Sequence, residues 1–144
     1  AARCVVLGRG FAYPAALEIA LKLKESAGLA ADGGSAADYL HGPVAAAGPG
    51  LTALLLGPRG PGLPSVRQVA RRLRSAGAEL LALSGEPSLE RWSTVSVDAA
   101  RGWPEPLSAI PLVALGQLCA HGLALWRGLD PDRPSGLAKV TRTW

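Results

Sequence analysis

The feature that most constrains this chain is an alternation along its length. Four short apolar runs, CVVLG (4–8), LTALLLG (51–57), ELLALSG (79–85) and the β-branched STVSVD (93–98), alternate with stretches of helical patterning. The runs lack clean polar alternation and end in glycine or charge, as strands covered on both faces do. LAADG at 29–33 is a weaker fifth run. Between them lie YPAALEIALKLKES, with Pro14 in a first turn where its missing N–H costs nothing, and SVRQVARRLRSAG, which Gly77 ends as a C-cap. The helix-forming PLSAIPLVALGQLCAHGLALWRG closes the series. Strand and helix in alternation predict an α/β fold, a parallel sheet with helices on both faces. At 144 residues the chain is read as a single domain over 1–144, too short for two of ordinary size.

In open parallel sheets ligands lodge at the carboxyl ends of the strands. The loops 8–10, 33–41, 57–64 and 84–87 are therefore the expected places for function. The residues are 49% hydrophobic and only 5% aromatic, with 18 Gly and 12 Pro, which points to tight small-residue packing and many turns rather than disorder. The formal charge is +4, and Arg67, Arg71 and Arg74 share one helix face. No aromatic interleaving or recognition motif accompanies them, so the face reads as a solvated surface and no nucleic-acid partner is expected. Cys4 and Cys119 lie far apart in apolar segments and read as buried reduced thiols of a cytoplasmic protein. The 110–126 stretch carries Gln117 and His121 and is expected to be broken at Pro111 and Gly116, so no membrane span is expected. The first residue is not Met and a strand begins almost at once, which reads as a left edge cut from something longer.

The helix expected over 14–27 carries the chemistry. On a helical wheel Glu18, Lys22 and Glu25 fall within about 60° of one another, while Leu17, Ile19, Ala20, Leu21 and Leu23 cover most of the remainder. A narrow polar stripe on an otherwise buried helix is the expectation. One reading makes Glu18 and Lys22 a surface pair worth a few tenths of a kcal/mol, with Glu25 solvated at the helix end. The other starts from the position of Glu25 near a helix C-terminus in apolar surroundings, the conditions under which a carboxylate becomes a stronger base. A general base working near neutrality needs such conditions.

Pro43 disfavours helical dihedrals at Gly42, so the chain turns just after His41 and presents it on a loop. A loop histidine is often a plain surface residue; beside a carboxylate it can carry protons. No third ligand lies nearby, and no metal or other cofactor is expected. His121, inside an apolar helix, reads as a core histidine with one hydrogen bond. Gly8, Arg9 and Gly10, ahead of a helix N-terminus, form either an anion seat or a structural turn.

Three blocks together, LGRGFAYPAALEIALKLKE (7–25), HGP (41–43) and IPLVALGQLCAHGLALWRGLDPDRPSGLAK (110–139), resemble the sugar isomerase (SIS) domains. The likeness is to the second of two such domains in glutamine-fructose-6-phosphate aminotransferases and related sugar-phosphate deaminases and deglycases. It spans nearly the whole chain. The resemblance implies a three-layer α/β/α fold around a five-stranded parallel sheet of order 2-1-3-4-5. It also implies that Glu25 moves a proton between C1 and C2 of a sugar phosphate, with Lys22 in the same site. By the same likeness His41 reaches a neighbouring subunit's site and assists ring opening, and Lys139 lies against the open-chain sugar.

Departures from the family pattern are as informative. Where Gly-Glu-Leu-Lys often precedes His-Gly-Pro, this chain has Ala37, Asp38, Tyr39 and Leu40, so an acidic position is shortened at Asp38 and a cation is lost. Ser135 and Val140 replace the usual arginine and serine. The loop 57–64 offers Arg59 but no hydroxyl before Ser65, unlike the phosphate cradle of a first SIS domain, and no cysteine glutaminase segment is present. The expectation is a phosphosugar domain, the C-terminal half of a two-SIS-domain protein. Glu25, His41, Lys22 and Lys139 would act on the sugar, and Gly8, Arg9, Gly10 and Asp38 would help bind it. It would pair as a homodimer or with a second SIS domain. The alternatives are a non-catalytic sugar-phosphate sensor and an assembly piece.

Overall fold

The computed structural model describes residues 3–134 together with 136 and 137. The elements run β1 (Arg3–Gly8), α1 (Ala12–Ala27), β2 (Ala31–Ser35), α2 (Ala36–Tyr39), β3 (Leu51–Leu56), α3 (Leu63–Ser75), β4 (Glu79–Ser84), α4 (Pro87–Glu90), β5 (Val95–Asp98) and α5 (Ala109–Trp126). All strand pairs are parallel, in the order β2-β1-β3-β4-β5. The sheet thus has the order that the resemblance implied.

The central strands are the ones the apolar runs predicted, since they are buried on both faces and need no polar side. Along β1, Cys4 and Val6 face one helical layer while Val5 and Leu7 face the other. β2 is different: its sequence is ADGGS, it pairs only with β1, and it runs two residues beyond the predicted stretch, to Ser35. An edge strand over a helix needs little side-chain volume. A Cβ on Gly33 would come within 2.8 Å of the α1 backbone.

One layer holds α1 and α5, the other α2, α3 and α4. On α3 the inward residues Leu63, Val66, Val69, Ala70 and Leu73 are buried, and the arginines point outward. That basic face is only partly a solvated surface. Arg67 donates to Ser88 Oγ at 2.7 Å and lies 3.7 Å from Glu86, and Arg71 stacks 5.3 Å from the centre of the Trp92 ring.

The other layer departs from three expectations. First, 110–126 lies within one unbroken helix, because Pro111 sits in its first turn, where no N–H is required, and Gly116 sits at a close helix crossing. A Cβ on Gly116 would overlap the Ile19 side chain, so the glycine is what lets α5 approach α1. With the turn before it, this helix has 22 residues, and an 18-residue stretch of it has a mean hydropathy of 1.5, enough in length and composition to cross a membrane. Here its stripe of Leu112, Gly116, Ala120 and Ala124 is buried in the domain. Second, His121 is exposed rather than in the core, since it lies off that stripe. Third, Cys119 is exposed while Cys4 is buried, and burial pushes the Cys4 thiol up to about 11.

Candidate functional site

α1 follows β1 and so runs back against the strand direction. Gly8, Arg9 and Gly10 lie at its start, at the carboxyl ends of the strands; Glu25 lies in its last turn, about 22 Å away along the helix axis. The expected catalytic carboxylate and the expected anion seat are therefore at opposite ends of one helix in the same chain.

Around Glu25 the polar stripe exists. The Lys22 ammonium donates to Glu25 Oε2 at 2.7 Å and stands 3.9 Å from Glu18 Oε1, and Gln117 of α5 donates to Glu18 at 3.2 Å. The hydrogen bond to Glu25 is the main reason the Lys22 amine is raised above its ordinary value, with the Glu25 and Glu18 charges adding and partial burial opposing. Both side chains of the Lys22–Glu25 pair keep about a third of their surface, 32% each. Of the apolar residues expected to be buried around the stripe, Ile19, Ala20 and Leu23 are, whereas Leu17 and Leu21, with Tyr13, are 39–44% exposed and flank the stripe on the outside of the domain. The pair thus faces outward from α1, bordered by apolar surface.

His41 is on the other side of the sheet. It is exposed, donates its backbone N–H to Asp38 O, and shares a cleft of about 330 Å³ with Ser65, Gln68 and Arg72 of α3. Asp38, in α2, lines a separate cleft of about 470 Å³ beside β2, with Arg3, Asp32 and Tyr39. Arg9 reaches sideways and donates to Ser35 Oγ at 3.1 Å, which ties the β1–α1 turn to the end of β2. Lys139 lies outside the described residues. Within one chain, then, the structure joins Lys22 to Glu25 and Arg9 to the end of β2, and leaves Glu25, His41 and the Gly8–Gly10 turn apart.

Two further features were not singled out from the sequence. An apolar groove of about 550 Å³ lies between α5 and the sheet, lined by Cys4, Leu54, Leu81, Cys119, Leu123 and Trp126. The second is Glu105, which the segment between β5 and α5 suspends over the carboxyl ends of the strands. Neither has a local motif. Both follow from where α5 lies relative to the sheet, which no spacing along the chain records.

The SIS domain family model matches residues 1–100. This chain is a SIS domain. It is 39% identical over 133 residues to the glutamine-fructose-6-phosphate aminotransferase of Thermococcus kodakarensis, and 34% identical over 141 residues to that of Acinetobacter baylyi. The matches cover 92% and 94% of this chain but only 22% of each relative, so the SIS chain spans about a fifth of their length. Among solved structures, the C-terminal domain of glucosamine-fructose-6-phosphate aminotransferase from Francisella tularensis superposes with a TM-score of 0.76 at 27% identity, covering 92% of this chain and 38% of that one. The tagatose-6-phosphate ketose/aldose isomerase of Escherichia coli gives 0.81 at 23% identity, over 99% and 40% of the two chains, which is a likeness of fold.

Proposed function

We propose that this SIS domain is the C-terminal member of a two-SIS-domain protein that isomerises, aminates or deaminates a sugar phosphate in a site shared with a companion unit. The observation that carries the reading is the Lys22–Glu25 pair, about one-third exposed on the outer face of α1 and bordered by Tyr13, Leu17 and Leu21. A reactive pair on a convex helix face needs a second surface to exclude water, and the apolar border supplies the contact for one.

In this reading Glu25 takes the proton from the carbon next to the reacting carbonyl and returns it to the former carbonyl carbon, C1 and C2 exchanging places as carbonyl carbon while a hydroxyl proton passes from one oxygen to the other, so that aldose and ketose interconvert without net oxidation. As enolisation builds negative charge on the carbonyl oxygen, that oxygen competes with Glu25 for the Lys22 ammonium, which leaves the carboxylate free to accept the proton. His41, on the opposite face and exposed, serves a neighbouring copy's site, and Lys139 completes the set. The relatives named for aminotransfer from glutamine, and those named for isomerisation of tagatose 6-phosphate, support the substrate class.

The test is turnover of fructose 6-phosphate or of a fructosamine phosphate by the complete protein with its companion unit. Glu25→Gln should lower kcat by about 10²–10⁴-fold with KM little changed. Turnover equal to the parent would end the assignment of Glu25 as base.

A further inference from the structure

α5 crosses α1 at a point where a glycine removes the obstacle. A Cβ on Gly116 would overlap the Ile19 side chain, so the two helices meet there more closely than any other residue would allow. The close approach brings the next residue of α5, Gln117, to the residue before Ile19 on α1, Glu18. α5 carries no acidic side chain and no basic one besides His121, so what reaches the polar stripe of α1 from this helix is a neutral amide. Gln117 donates from Nε2 to Glu18 Oε1 at 3.2 Å, across ninety-nine positions of sequence.

The oxygen that accepts from Gln117 is the same one that faces Lys22, 3.9 Å from its ammonium. Lys22 therefore stands between two carboxylates of one helix, Glu25 three residues on at 2.7 Å and Glu18 four residues back. The two differ in what holds them. Among the described residues the Glu25 carboxylate is bonded to Lys22 alone, whereas that of Glu18 is also tied to a second helix. The difference matters over a proton cycle. On taking a proton Glu25 becomes neutral and stops balancing the ammonium, and Glu18 is then the neighbouring charge that keeps Lys22 protonated. An amide that donates to a carboxylate favours its charged form, and one anchored on a separate helix also sets where that charge stands.

We propose that Gln117 is a positioning residue: through Glu18 it fixes the counter-charge that keeps the Lys22 ammonium protonated and aimed at Glu25 while Glu25 carries the substrate proton. The catalytic part of this inference rests on the reading of Glu25 as base. The link from Gln117 to Lys22 does not, and it is measurable without substrate.

The link is read in the isotope-labelled chain, by alkaline titration of Lys22 followed at its Cε and Nζ resonances. Gln117→Leu, at an exposed position, should lower the midpoint from the parent's raised value, because a loosened Glu18 supports the ammonium less. In a Glu18→Gln background the same substitution should leave the midpoint where it is, since no carboxylate remains for the amide to hold. In the complete protein with its companion unit, Gln117→Leu should lower kcat about fivefold, with KM within about twofold of the parent's. The proposal is overturned if Gln117→Leu, folded by its dispersed spectrum, leaves the Lys22 midpoint unchanged, or moves it equally in both backgrounds, as a packing role would. It is overturned as well if Gln117→Leu matches the parent's kcat while Glu25→Gln is impaired. Full turnover by Glu25→Gln would instead end the reading of Glu25 as base, and the Lys22 midpoint would still decide the link.

Discussion

On the α3 side of the sheet Val66, Val69 and Leu73 are sealed beneath a helix whose outer surface is arginine; on the α1–α5 side Leu21, Ile110, Leu118 and Trp126 stay 44–83% exposed. Both helical layers cover the same five strands. The α3 layer meets water with charge, two of its arginines held by Glu86, Ser88 and Trp92. The α1–α5 layer meets its surroundings with large apolar side chains and one ion-paired stripe, Glu18–Lys22–Glu25. Exposed apolar surface of that extent is characteristic of an interface, and the candidate catalytic pair lies within it. The proposed site thus sits on the layer whose surface is unfinished.

The largest effect that can break this contrast is on stability. Leu73→Ala, at a fully buried site of the α3 layer, should cost about 2–5 kcal/mol in urea unfolding. Leu118→Ala, at a site 64% exposed on α5, should cost less than about 0.5 kcal/mol. Equal costs would mean that the α5 face is not unfinished at all.

A smaller effect concerns association. Leu17→Ser combined with Leu118→Ser should leave the unfolding midpoint near the parent's and abolish self-association measured by light scattering at tens of micromolar. A parent chain that is already monomeric there would remove the pairing of like units through this layer.

The smallest effect sharpens the place of the polar stripe. The Lys22 amine is raised by its bond to Glu25, so its contribution is fully present below the ordinary lysine value of 10.5 and is lost as pH climbs through the higher folded value. Lys22→Met should therefore cost under about 1 kcal/mol near neutrality, as a partly exposed pair does. The gap between parent and variant, followed by urea unfolding at rising pH, should close above 10.5. A gap that persists at strongly alkaline pH would exclude the ion pair as its source.

Much of the fold was legible in the chain because buried parallel strands and amphipathic helices leave local patterns. CVVLG, LTALLLG and ELLALSG became β1, β3 and β4 with ends shifted by a residue at most. The glycine-rich β2 was only half visible, since an edge strand packed close to a helix is selected for small size rather than for apolar volume. The short helices α2 and α4 gave no periodic signal. The Lys22–Glu25 pair was legible as a spacing of three on a helix, but its outward aim was not, and Leu17 and Leu21 had looked like core.

By itself the sequence determined the strand–helix alternation, the family blocks and the residues Lys22, Glu25 and His41, because each is written in neighbouring positions whose meaning is local. Only the tertiary structure decided that Glu25 and His41 lie on opposite sides of the sheet, and that Gln117 of α5 reaches Glu18 of α1. Those relations depend on strand order and helix layering, which bring together residues up to ninety-nine positions apart.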